Sequence, residues 1–122
     1  MDFDNSKPIY LQIVDFFYEK ILEEEWKPNE RIPSVREVAM MVEVNPNTAI
    51  RAFTHLQELE VIYNKRGIGY FVAEDGLEAV LRIKRKAFLE QTRPDVFKQM
   101  NLLNISLETL EEAYKHMNDE KK

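Results

Sequence analysis

A mainly α chain with one small β-hairpin is the fold class this sequence predicts, and three observations predict it. Two stretches, Ile32-Pro33-Ser34-Val35-Arg36-Glu37-Val38-Ala39 and Val44-Asn45-Pro46-Asn47-Thr48, each set a capping side chain just before an apolar helical pattern. Downstream, Lys65-Arg66-Gly67-Ile68-Gly69-Tyr70-Phe71-Val72 places two glycines at the tip of a hairpin. The last fifty or so residues return to helical spacing, with no repeat and no low-complexity linker. In that order the elements make a winged helix-turn-helix over residues 1–73, followed by a short helical tail over 74–122.

The first helix is read from Pro8 as its first position, with Ile9, Ile13, Phe16, Phe17 and Ile21 on one face and an end near Glu25. Trp26-Lys27-Pro28-Asn29 breaks it, with Asn29 suited to a left-handed backbone. Ser34 and Glu37 form a capping box that starts a second helix over about 35–42, burying Val38, Ala39 and Val42. Glu43 and Val44 turn the chain, Asn45 caps, and Pro46 opens a third helix to about Leu59. Its stripe Ala49, Ala52, Phe53 and Leu56 faces inward, leaving Asn47, Arg51 and Thr54 opposite. Val61-Ile62-Tyr63 and Tyr70-Phe71-Val72 are the hairpin strands, with Gly67 and Gly69 where positive φ or close approach is needed.

In the tail, Asp75 and Glu78 resemble another capping pair, and Leu77, Val80, Leu81, Ala87 and Phe88 supply apolar contacts. Pro94 restarts or kinks the helix, Asn104 stops it, and Ser106 caps a last helix carrying Leu107, Leu110, Tyr114 and Met117. Residues 118–122 are expected to fray. Helices this short cannot bury so many Leu, Phe and Met side chains alone; they need the N-terminal helix, a second copy or both, and pairing across a twofold axis is the economical expectation.

Composition narrows the class. The chain has 122 residues, 44% hydrophobic and 32% charged, enough for one core and a soluble surface. It has no cysteine, so disulfides and thiolate metal sites are excluded. The start Met1-Asp2-Phe3-Asp4 is acidic where a secretory signal is basic, and no apolar run approaches a membrane span, so a cytoplasmic protein is expected. Net charge is −5, but unevenly placed: residues 1–30 carry 3 Lys/Arg against 8 Asp/Glu, whereas residues 31–72 carry 5 against 4. A few placed cations decide phosphate binding, so the acidic total predicts only modest non-specific affinity.

Residues 8–72 resemble the DNA-binding domain of GntR-family bacterial regulators, through three ordered motifs, and Val44-Asn45-Pro46-Asn47-Thr48 with a short helical tail is similar to the YtrA subfamily. The resemblance implies a dimeric transcription regulator, usually a repressor, whose gene commonly neighbours a membrane transporter operon. It assigns DNA contact to Arg36 of the Pro-Ser-x-Arg motif, to Asn47 and Thr48 at the start of the recognition helix, and to Lys65, Arg66, Gly67 and Gly69 in the wing. Three positions depart from the family pattern. Pro46 stands where many relatives carry arginine, Ile50 where they carry arginine or glutamine, and Glu60 replaces the glycine that usually ends the recognition helix. The last predicts left-handed strain or an altered turn.

The residues support the same reading independently. The third helix's start is expected to offer free amides to a phosphate. Arg36 and Arg51 can each present a bidentate fork to guanine or phosphate, and Ile50 an apolar contact to a thymine methyl. A Lys or Arg at a hairpin tip can enter a minor groove. With Ser34 of the capping motif, the candidate DNA-contacting set is Ser34, Arg36, Asn47, Thr48, Ile50, Arg51, Lys65, Arg66, Gly67 and Gly69, reading an inverted-repeat operator in double-stranded DNA.

Plainer roles stand beside these. Arg36 reads alternatively as an ion-pair partner of Glu37 or Glu43, and Ile50 as a contact to a neighbouring helix. His55 suits solvent better than a phosphate. The Arg82, Lys84, Arg85, Lys86 run reads as a solvated face, and Trp26, Tyr63 and Phe71 as core. His55 and His116 lack metal partners at helical spacing, so neither metal nor cofactor is expected. No nucleophile–base pair or phosphate loop can be assembled, which sets an enzyme far below a regulator. The chief rival is a winged helix serving protein–protein interaction without DNA. A small-molecule effector at the dimer interface among Phe88, Phe97, Met100 and Tyr114 is open, against a packed core there.

Overall fold

The structure, a computed structural model, describes residues 1–121. It divides into two compact units, Met1–Ile83 and the remainder from Lys84. In the first unit, α1 (Ile9–Leu22) begins after Pro8, which caps the helix from an extended backbone and accepts hydrogen bonds from Leu11 N and Gln12 N. Pro8 is therefore the cap and not the first helical residue. Gln12 is buried and satisfied: its amide donates to the carbonyls of Asp4 and Lys7 and accepts from Asp4 N, tying the leading segment to α1.

The helix stops three residues before the expected Glu25. Glu24 adopts φ 58°, and Glu25 N and Trp26 N both donate to the Lys20 carbonyl. That reversal brings Trp26 edge-on to Phe16 and Phe17, at 5.8 and 5.0 Å between ring centres. Aromatic burial thus outweighs one more helical turn.

Capping residues set the starts of α2 (Val35–Met41) and α3 (Pro46–Glu58), each one residue shorter than expected. Both end in the manner of α1. After α3, Glu60 N donates to the Gln57 carbonyl and Val61 N to the Leu56 carbonyl, both at 3.0 Å. After α2, Glu43 N and Val44 N bond the Met40 and Ala39 carbonyls in the same way. This double bond needs a left-handed residue, for which glycine is the ordinary choice. Here Glu24, Glu43 and Glu60 fill it at φ 58°, 57° and 60°, so the strain expected at Glu60 is present. Glu60→Gly is expected to stabilise the protein by about 1 kcal/mol. A calorimetric melting point about 4 °C higher would register the gain, and a lower one would mean that the Glu60 side chain contributes more than its backbone costs.

The wing is an antiparallel pair, β1 (Ile62–Lys65) and β2 (Gly69–Val72), in the register Ile62–Val72, Tyr63–Phe71, Asn64–Tyr70 and Lys65–Gly69. Residues 29–32 lie along the other edge of β2: Asn29 N, Ile32 N and Val72 N donate across it, and Arg31 bridges Phe71. Asn29 has φ 64°, as its type predicts. Behind these elements α4 (Gly76–Ala87) contributes Ala79 and Val80 to the core of Ile13, Phe17, Val38, Phe53, Leu56 and Val72. Gly76 sits so close that a Cβ would lie 2.7 Å from the Val61 carbonyl oxygen. The expected Asp75–Glu78 box is not formed among the described residues; the Asp75 carbonyl instead accepts from Ala79 N.

In the second unit a π-helical turn, Phe88–Thr92, precedes α5 (Arg93–Leu103), and α6 (Leu107–Glu120) follows. Pro94 lacks an N–H, and its ring would crowd the Glu90 carbonyl, so the helix widens there rather than breaking. Asn104 (φ 55°) ends α5 and Ser106 Oγ accepts from Thr109 N, both as the sequence predicts. α6 continues to Glu120, through residues expected to fray; Lys122 lies outside the described residues. Phe88, Phe97 and Tyr114 do not pack into a core within this chain: they are 55, 49 and 64% exposed, and only Met100 among the proposed effector-site residues is buried.

Candidate nucleic-acid interface

Ser34 and Glu37 close the capping box at the start of α2: Glu37 N donates to Ser34 Oγ and Ser34 N to the Glu37 carboxylate, each at 3.1 Å. The backbone hydrogen bond from Ser34, then its side chain, hold the Glu37 carboxyl below its ordinary pKa. Glu37 is thereby engaged with its own helix and not with Arg36. Arg36 is exposed and, among the described residues, has no ion-pair partner, Glu43 included. The plain salt-bridge reading of Arg36 therefore fails on geometry. Arg36 lines a depression of about 490 Å3 with Met40, Glu43, Val44 and Pro46, which joins α2 to the start of α3.

At that start the free amides anticipated from the sequence are absent. Pro46 has no N–H, Asn47 N donates to Asn45 Oδ1, and Thr48 N and Ala49 N both donate to the Asn45 carbonyl. The side chain and proline that make the start so well marked also consume its anion-binding capacity. What the start of α3 offers a ligand therefore comes from its side chains. Asn47, Arg51 and Thr54 are exposed, Thr48 is half-buried, and Ile50 is 48% exposed rather than packed on a neighbour.

Arg51 and His55 turn toward α1. The Arg51 guanidinium carbon lies 4.1 Å from the centre of the Tyr10 ring, and His55 meets that ring edge-on at 6.0 Å. His55 is half-buried there, not solvated.

The wing tip is a tight turn closed by Ile68 N donating to the Lys65 carbonyl at 2.9 Å, with Gly67 at φ 81°. Arg66 stands exposed at the tip. Lys65 folds back, its ammonium 4.9 Å from the centre of the Phe71 ring. Tyr63 and Phe71 are not core: they stack on each other at 5.5 Å on the wing's outer face. Trp26 does join the core, as expected.

Arg31 is the cation that sequence reasoning missed. Gly69 has φ 145°, and a Cβ there would lie 2.9 Å from Arg31 Nε. The same arginine is close enough to favour the ionised form of Glu37. It thus joins the wing to the start of α2. Its place follows from pairing of residues 29–32 with β2, which no local pattern announces; its position just before Ile32-Pro33 is the only hint. Arg82 and Lys84–Lys86 lie exposed on α4, the latter three in its last turn, where cations suit the helix dipole.

A three-helix unit with a two-stranded wing and an uncovered third helix is the winged helix-turn-helix architecture, which many transcription regulators share. The pattern of bacterial regulatory proteins of the gntR family matches residues 9–72, and the chain belongs to that family. It is 39% identical over 113 residues to the Bacillus subtilis (strain 168) HTH-type transcriptional regulator YhcF, covering 93% of this chain and 92% of that protein. It is 31% identical to the HTH-type transcriptional repressor YtrA of the same organism, covering 93 and 86%. A crystal structure of a GntR-family regulator from Bacteroides thetaiotaomicron superposes with a TM-score of 0.76 at 40% identity, over 93% of this chain and 99% of that one. Among the described residues no helix is long and apolar enough to cross a membrane.

Proposed function

We propose that this GntR-family regulator is a homodimeric, cytoplasmic repressor that reads an inverted-repeat operator in duplex DNA near the genes it controls, a transporter operon being the family's usual neighbour. The observation that carries the reading is the exposed Arg36, without an ion pair among the described residues, beside the uncovered start of α3. Asn47, Thr48, Ile50 and Arg51 of α3 enter the major groove, Ile50 against a thymine methyl, and Arg66 with Lys65 reaches the backbone or minor groove from the wing. Ser34 serves by fixing Arg36, and Gly67 and Gly69 by shaping the tip. Repression is supported by the likeness to YtrA. Dimerisation is supported by the tail, where Leu102, Leu103 and Leu107 are 72, 65 and 66% exposed, apolar side chains that a second copy would cover.

Selection of bound duplexes from a random pool, followed by titration across salt, tests this. With about four phosphates neutralised per dimer, affinity is expected to fall about a hundredfold between about 50 and about 200 mM salt. Selected sites should be twofold-symmetric. No duplex binding at low salt would leave the protein–protein interaction role in its place, and a species that sediments as a monomer at micromolar concentration would remove the dimer.

A further inference from the structure

We propose that Tyr10, in the first turn of α1, is a positioning residue of the DNA interface: it holds the Arg51 guanidinium at the flank of α3 so that Arg51 meets a backbone phosphate and not a base edge. This rests on the DNA reading above and adds a helix that reading leaves out. At 4.1 Å from the ring centre, the guanidinium lies within the range at which a cation is drawn to an aromatic face. Attraction to a ring face uses none of the guanidinium's five N–H donors as a conventional hydrogen bond, so donors directed away from the ring stay available to an acceptor. Among the described residues no carboxylate pairs with Arg51. Holding the side chain in place beforehand also lessens the ordering that binding must impose.

The direction of the stack selects the ligand. Asn47, Arg51 and Thr54 stand opposite the buried stripe of α3, on the line that faces the floor of a groove. Arg51 is drawn off that line toward α1, and the sugar–phosphate wall of the groove faces the flank of an inserted helix. Tyr10, Ile50, Arg51, Thr54 and His55 line a depression of about 270 Å3, where the Thr54 hydroxyl adds a second donor. Glu58 lines it too, so the subsite favours a phosphate held by the rest of the interface over a free anion.

Full-length Tyr10→Phe, Tyr10→Leu, Arg51→Ala and the Tyr10→Leu/Arg51→Ala pair are titrated against a duplex selected by the wild type, across a salt series, with thermal unfolding as the control. Arg51→Ala is expected to weaken binding about tenfold, alike for all duplex sequences, and to reduce the salt slope by about one per protomer. Tyr10→Leu should reproduce most of both changes, the pair should lose little more than Arg51→Ala, and Tyr10→Phe, which keeps the ring, should match the wild type. Should Tyr10→Leu melt early, Arg51→Lys takes its place: it keeps the charge, gives up the planar stack, and is expected to lose affinity with the fold intact. Wild-type affinity in Tyr10→Leu, or losses that simply add, would overturn the positioning role. A loss confined to one base pair with the salt slope unchanged would overturn the phosphate assignment. A wild type that selects no duplex would instead sink the DNA reading itself, and this proposal with it.

Discussion

Arg36→Ala is expected to reduce operator affinity by about ten- to a hundredfold while leaving the melting point and the dimer unchanged. The size follows from what the guanidinium does in each state. In the free protein it is exposed and, among the described residues, without an ion pair, so its removal takes no ion pair from the fold. Surface substitutions of this kind stay within about 0.5 kcal/mol of neutral. In the complex it offers a planar fork of donors, and a bidentate contact of that type contributes about 1–3 kcal/mol. Ser34 and Glu37 hold the first turn of α2 that carries it, so its approach is set before DNA arrives. An electrophoretic or fluorescence titration at fixed salt, beside calorimetry, separates the two effects. Unchanged affinity would remove Arg36 from the interface; a lowered melting point would assign it to the fold.

Phe53→Ala is expected to destabilise the protein by about 3–5 kcal/mol, a large part of the stability of a domain this size. Phe53 lies on the inner face of α3 and meets Phe17 of α1 at 5.1 Å and Tyr70 of β2 at 4.6 Å between ring centres, both edge-on. It therefore ties the recognition helix to the first helix and to the wing at once. Truncation leaves a cavity that three elements must close, and rigid elements close cavities poorly. The melting point should drop by about 10–20 °C, with DNA binding lost only as the fold is lost. Ile50→Ala, three residues earlier on the outer face, is the control and should leave the melting point nearly unchanged. A drop of only a few degrees for Phe53→Ala would mean that the aromatic cluster repacks around the gap.

Most of the helical framework was legible because its signals are local. Ser34–Glu37, Asn45–Pro46, Asn104 and Ser106 act on backbone groups within four residues of themselves, and each helix boundary they mark is where the structure has it. Even the departure at Glu60 announced its own left-handed turn. The candidate site was legible to a lesser degree. Residue types and spacing identified Arg36, the outer face of α3 and the wing tip. They did not reveal that Asn45 and Pro46 leave α3 no free amide, since the same two residues read equally well as a helix start and as an anion site.

What the chain alone determined is where the capped helices start, where the hairpin turns, which faces are apolar, and which cations lie in the central segment. What only the tertiary structure decided is how distant segments meet: Trp26 ending α1 early to pack on Phe16 and Phe17, Arg31 laid across Gly69, Gly76 pressed on Val61, and Arg51 drawn to Tyr10. Caps and turns satisfy hydrogen bonds between near neighbours, so a short window of sequence contains their whole energy balance. Stacking and close approach depend on partners tens of residues away, and their positions exist only once the core has formed.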